Sequence, residues 1–119
     1  MIEIWLNPAC SKCRTAVGEL QAAGVAYTVR RYLDDPPTTA ELEDVLARLA
    51  LEPWDIARTA DAGRLGVTLP AKAADQRDAW VRLLAENPRL IQRPIITATD
   101  GTTVVGRDPA SVARVIAAD

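Results

Sequence analysis

The sequence predicts an α/β fold in which a β-α-β unit comes first, a block of helices follows, and a β-β-α unit closes the chain. Three observations predict it. The apolar, β-branched stretch Ile2-Glu3-Ile4-Trp5-Leu6 is followed by a helical pattern and a second extended stretch, all within the first third of the chain. The tandem prolines Pro36-Pro37 then end strand character, and helix-spaced apolar residues take over. Late in the chain, Ile95-Ile96-Thr97 and Thr103-Val104-Val105 flank Asp100-Gly101, a hairpin signal.

Asn7-Pro8 turns the chain after the first strand. From about Ser11 to Ala23 the apolar residues Ala16, Val17, Leu20 and Ala23 keep helical spacing, and Gly24 stops the helix. Val25 to Leu33 reads as the second strand, parallel to the first because a helical crossover joins them. Thr38 and Glu41 form a capping box for the next helix, whose buried face is Leu42, Val45, Leu46 and Leu49. A shorter helical piece is expected around Trp54 to Arg58. Between Ala60 and Ala73 the pattern is irregular, and Leu65, Val67 and Leu69 are expected to cover core from a loop. A helix over Ala74 to Glu86 turns Trp80, Leu83 and Leu84 inward and ends at Asn87-Pro88. The last helix carries Val112, Val115 and Ile116.

Size and composition bound the function. The 119 residues suffice for one domain, 1–119, with the helical insertion at about 34–92. A net charge of −2 and the lack of a basic block argue against a nucleic-acid surface. The N-terminus lacks the layout of a signal peptide, and no apolar run approaches membrane-spanning length. A cytoplasmic protein is the expectation, with its thiols reduced. Arginine outnumbers lysine twelve to two, as in proteins of GC-rich bacterial genomes.

Cys10 and Cys13 are the only cysteines and stand as CxxC where the first strand turns into the first helix. A zinc site needs about four ligands, and the chain has no histidine. Arg14 stands where a c-type haem motif requires histidine. Inert core cysteines are the bland alternative, yet CxxC beside a β-α-β pattern points to redox or nucleophilic chemistry. The physical reason is position. Cys10 falls at the helix entrance, where unpaired backbone N–H groups and the helix dipole favour an anion. Lowering a thiol pKa by about two units takes roughly 2.7 kcal/mol. A favourable helix terminus supplies up to about 2 kcal/mol, and nearby cations the remainder. Cys13, one turn on, is close enough to form a disulfide with Cys10 after a small adjustment. Cys10 attacks and Cys13 resolves. Together the element order and the CxxC are those of a thioredoxin-like sheet with helices inserted between strands two and three.

With Asn-Pro-Ala-Cys-Ser-Lys-Cys-Arg at 7–14, Tyr-Leu-Asp-Asp-Pro-Pro-Thr-Thr-Ala-Glu-Leu at 32–42 and Asn-Pro-Arg-Leu-Ile-Gln-Arg-Pro-Ile at 87–95, the chain resembles the glutaredoxin-coupled arsenate reductase family and its Spx-like relatives. The likeness runs essentially end to end. It implies that Cys10 is the nucleophile toward arsenate and that Arg58, Arg93 and Arg107 hold the oxyanion. It also implies that Pro94 is cis beside the cysteine pair, where Asn7 opens the turn. Guanidinium forks suit a charged oxyanion, because they bind such oxygens in pairs. Each of these arginines taken alone has a solvated surface residue as its bland alternative, most strongly Arg58 and least Arg93; their joint agreement with the family motifs singles them out. The implied partners are arsenate and a reductant: a glutaredoxin-, thioredoxin- or mycoredoxin-like protein or a low-molecular-weight thiol. No cofactor and no metal is implied.

Two positions depart from the family pattern. Leu6 stands where many of its reductases have a histidine, and Cys13 where its single-cysteine members have a serine. CxxC is typical of the Spx-like regulators, which sense oxidation without catalysing a reaction, but those lack the arginine matching Arg107. A non-enzymatic redox sensor and a general disulfide reductase are the two alternatives.

Overall fold

A computed structural model describes all residues from Met1 to Asp119. Two compact units emerge, one formed by Met1–Asp35 with Arg93–Asp119, the other by Pro36–Gln92. The first unit holds strands β1 (Ile2–Trp5), β2 (Tyr27–Arg30), β3 (Ile95–Thr97) and β4 (Thr103–Val105), with helices α1 (Ser11–Ala22) and α4 (Pro109–Ala118). The second holds α2 (Thr39–Leu49) and α3 (Arg77–Glu86), with short 3₁₀ turns at Pro53–Ile56, Thr59–Asp61, Ala74–Gln76 and Pro88–Leu90.

The four strands lie in the order β2-β1-β3-β4. β1 pairs parallel with β2, Ile2 opposite Tyr27 and Trp5 opposite Arg30. On its other side β1 pairs antiparallel with β3, Trp5 opposite Ile95, and β3 pairs antiparallel with β4, Ile95 opposite Val105. Strand alternation sends Ile2 and Ile4 to one face. There they join Ile96 and Val104, and Ala16 and Leu20 of α1 and Val112 and Val115 of α4 close the core. Trp5 turns the other way; its indole donates to Glu3 at 3.0 Å and carries the Arg30 guanidinium 5.5 Å from its ring centre. The Asp100-Gly101 turn forms as expected, with Gly101 at φ 95° and the Thr102 N–H donating to Asp100 at 2.9 Å.

The second unit has a core of its own. The capping box of α2 is present in both directions, Glu41 N–H to Thr38 Oγ1 at 3.1 Å and Thr38 N–H to Glu41 Oε1 at 3.0 Å. Leu42, Val45 and Leu46 of α2 are buried, as are Trp80, Val81 and Leu84 of α3. Trp80 meets Trp54 edge-on at 6.2 Å and donates its indole N–H to the Ala71 carbonyl at 3.0 Å. Arg77 clasps Glu43 at 2.6 Å and Glu52 at 3.2 Å. Ala57 and Ile91 form an isolated antiparallel bridge, which pins the 3₁₀ turns to the end of the unit.

Four expectations are corrected. β2 spans only Tyr27–Arg30 rather than Val25 to Leu33: the chain leaves the sheet once β1 runs out of partners, and Tyr32 and Leu33 lie in a turn. Leu65 does not cover core but is 38% exposed, because its loop turns it outward. On α3 Val81 is buried while Leu83 is only partly so, a rotation of the buried stripe toward Trp80. Leu49, at the edge of its helix's buried stripe, is likewise only partly covered.

Two residues make the fold testable. A Cβ on Gly106 would fall 2.6 Å from the buried Ile96 side chain and 3.3 Å from Pro94. Gly106→Ala should therefore lower stability by about 1–3 kcal/mol, read by denaturant unfolding. Ala50 ends α2 in the left-handed region at φ 55°. Ala50→Gly should raise stability by about 1 kcal/mol in the same assay, because glycine carries no Cβ penalty there.

Candidate active site

The strand register dictates where the site lies. β1 ends at Trp5, and so does its parallel neighbour β2 at Arg30; antiparallel β3 begins there at Ile95, and β4 ends there at Val105. Four segments of chain therefore emerge at one end of the sheet: the turn from Leu6 to Cys10, the turn containing Tyr32, the Arg93-Pro94 pair and the Gly106-Arg107 pair.

Asn7 builds the first segment. Its side-chain oxygen accepts from the Ala9 N–H at 3.0 Å, and its carbonyl accepts from the Cys10 N–H at 3.0 Å. Its own N–H points to the Cys13 sulfur at 3.5 Å. This turn delivers Cys10 to the N-cap of α1 in extended conformation, φ −88° and ψ 125°. A residue in this position lies beside the free N–H groups of the first turn, whose partial positive charge favours an anion, although the Cys10 sulfur makes no full capping hydrogen bond. Both thiols are free; Cys10 is partly accessible and Cys13 is buried.

The two thiols are set apart by their surroundings. Burial pushes Cys10 up, but the backbone N–H of Cys13, the Arg93 guanidinium, the backbone N–H of Lys12 and the Cys13 thiol together outweigh it and bring Cys10 down to about 7. Burial pushes Cys13 up to about 11; the Asn7 N–H opposes this, and the charge of Cys10 adds to it. At neutral pH a large fraction of Cys10 is thiolate while Cys13 keeps its proton.

Arg93 is the arginine that faces Cys10. The peptide between Arg93 and Pro94 is cis. The Pro94 carbonyl accepts from the Gly106 N–H at 2.8 Å, which ties the start of β3 to the end of β4. Arg107 follows directly. It is exposed and lines a cavity of about 300 Å³ with Ser11, Lys12, Thr15, Glu19 and Asp108, beside the first turn of α1. Arg58 belongs to the helical unit, where its side chain donates to Asp61 at 2.7 Å and its backbone N–H to the Leu90 carbonyl at 2.6 Å. Sequence reasoning missed Tyr32, which reads as a strand residue but is buried beside Arg93 and both cysteines. The available signal was a tyrosine, in a chain without phenylalanine, immediately before the Leu-Asp-Asp-Pro-Pro turn.

No cluster of three or more His, Cys, Asp or Glu side chains could hold a metal ion, and no helix is long and apolar enough to cross a membrane. The fold is thioredoxin-like, and one end of its sheet carries a partly accessible thiol at a helix N-terminus, a second thiol one turn on, and an arginine just before the antiparallel strand.

Comparison with known proteins makes this specific. Residues 5–115 match the ArsC family model, and the chain belongs to that family. It is 36% identical to an arsenate reductase of Neisseria meningitidis, over 97% of both chains. An uncharacterised protein from the glnII region of Streptomyces viridochromogenes is 61% identical over 93% of this chain and 95% of its own. The solved arsenate reductase from Vibrio cholerae superposes with a TM-score of 0.80 at 32% identity, covering 96% of each chain. A global transcriptional regulator of the Spx type from Lactococcus lactis is 31% identical over 82% of this chain and 75% of its own.

The separation of the two thiols is directly measurable. In Cys13→Ser protein, alkylation of Cys10 by iodoacetamide should rise with pH to a midpoint near 7. In Cys10→Ser protein, the buried Cys13 should stay slow through that range. Faster reaction of Cys13 than of Cys10 at pH 6 would reverse the two assignments.

Proposed function

We propose that this protein is a thiol-dependent oxidoreductase that reduces arsenate to arsenite. One observation carries the reading: the partly accessible Cys10 thiol, drawn down to about 7, shares the end of the sheet with Arg93 and with a second thiol, Cys13, that retains its proton. The Cys10 thiolate attacks arsenic(V), and an arsenate hydroxyl takes up a proton from solvent and leaves as water, giving a Cys10–arsenic(V) bond. Cys13 passes its proton to an arsenic-bound oxygen and attacks the Cys10 sulfur. The sulfur–arsenic electron pair stays with arsenic, which leaves as arsenite, and a Cys10–Cys13 disulfide forms. Two electrons have moved from the thiols to arsenic. A glutaredoxin-, thioredoxin- or mycoredoxin-like protein or a low-molecular-weight thiol then returns them, in a reducing, cytoplasmic setting.

Arg93, Arg107 and Arg58 neutralise the oxyanion in this reading. Arg93 is the best supported, since it faces the nucleophile. Asn7 and Pro94 hold the frame. The experiment is stoichiometric: reduced protein mixed with arsenate should lose two free thiols for each arsenite formed. Arg93→Ala or Arg107→Ala should slow this roughly ten- to a hundred-fold, the usual consequence of losing a charge-assisted bond. Arg114→Ala, on the exposed side of α4, should leave the rate unchanged. Unchanged thiols after prolonged incubation with arsenate would sink the reading.

A second reading has its own support in the CxxC pair and the likeness to an Spx-type regulator: a redox sensor, or a general disulfide reductase, using the same thiols without an oxyanion. It expects oxidation by peroxide or disulfide, no protection of Cys10 by phosphate, and a partner surface within residues 39–58.

A further inference from the structure

Tyr32 has no place in the scheme so far, yet it is one of the most deeply buried side chains in the chain, at 1% exposure. Its hydroxyl is shut off from solvent and has no hydrogen-bond partner, and the same holds for the Nε of Arg93. Buried polar groups without partners are uncommon and call for a reason. Here the two sit together. The parallel register carries Tyr32, two residues beyond Arg30, to the end of the sheet where Arg93 precedes β3. Arg93, Cys10 and Cys13 are the groups that act on the hydroxyl.

The chemistry of the pair is one-sided. A guanidinium has only donors, so a hydroxyl facing it can serve only as acceptor, with its own hydrogen turned elsewhere. Neither atom is spent on another part of the fold.

We infer that Tyr32 is a positioning residue for the thiol chemistry: its buried hydroxyl dipole, facing Arg93 without a full hydrogen bond, orients the guanidinium toward Cys10. This inference deepens the reading of Cys10 and Arg93 as reactive pair and rests on it. The hydroxyl acts through Arg93 and touches no reacting atom.

Tyr32→Phe is the decisive variant, because it removes one oxygen and keeps the ring that fills the core. Loss of an unpartnered hydroxyl is close to neutral for stability, so the melting temperature should hold. The alkylation midpoint of Cys10, measured with iodoacetamide in the Cys13→Ser background, should rise by about half a pH unit, roughly a threefold loss of thiolate below the midpoint. Protection of Cys10 by inorganic phosphate should weaken by about the same factor. In an Arg93→Gln background the Tyr32→Phe change should have no further effect on either measurement, as expected of a group that works through Arg93. A Tyr32→Phe protein with parental midpoint and parental phosphate protection overturns the inference. So does an equal shift in the Arg93→Gln background. A parent protein whose Cys10 midpoint is not depressed overturns the Cys10–Arg93 reading first, and the inference with it.

Discussion

Everything at the site depends on the way β1 is shared. It pairs parallel with β2 on one side and antiparallel with β3 on the other. This mixed pairing sends the ends of β1, β2 and β4 and the start of β3 to a single end of a sheet only four strands wide. A purely parallel sheet would place Arg93 at the opposite end from Cys10. The core that holds β1 in register is correspondingly strict: Ile2 and Ile4 are fully buried, and a one-residue slip would exchange them for Glu3. The chemistry is inherited from that register.

Within the site, burial and hydrogen bonding compete, and they settle differently at two sulfurs one helical turn apart. Desolvation raises both thiols. At Cys10 it is overcome by two backbone N–H groups of the helix start together with Arg93; at Cys13 a single N–H from Asn7 is too little. The asymmetry thus comes from position on the helix more than from side-chain charge. It also explains how the turn can dispense with a histidine: Leu6 sits four residues before Cys10, where it packs against the core instead.

Much of this was legible in the sequence, for identifiable reasons. Thr38 with Glu41, Asp100 with Gly101, and Gly24 after α1 are local signals whose physics involves only their neighbours, and they form as written. The thioredoxin-like order of elements followed from them. Illegible features depended on distant chain. The length of β2 is set by how far β1 extends beside it, and the orientation of Leu65 by a loop with no period of its own. Tyr32 belongs to this group: its phenol is explained only by an arginine some sixty positions later. Arg93 and Arg107 were named from motif agreement, and the hairpin between β3 and β4 is the reason both stand at the same end.

The helical unit between residues 36 and 92 also bears on how the chain finds its fold. Trp5 and Ile95 are neighbours in the sheet yet ninety positions apart in sequence. Bringing such distant points together from a random chain is slow, because the entropy of closing the loop is lost before any contact repays it. A segment with its own buried tryptophan, capped helix and internal bridge need not remain random while that happens. A β1–β3 pairing made with that core formed closes less free chain than one made across ninety unstructured residues. The same independence makes the segment tolerant of change in its outward loops, since the pairing of β1 with β3 registers only where its two ends are delivered.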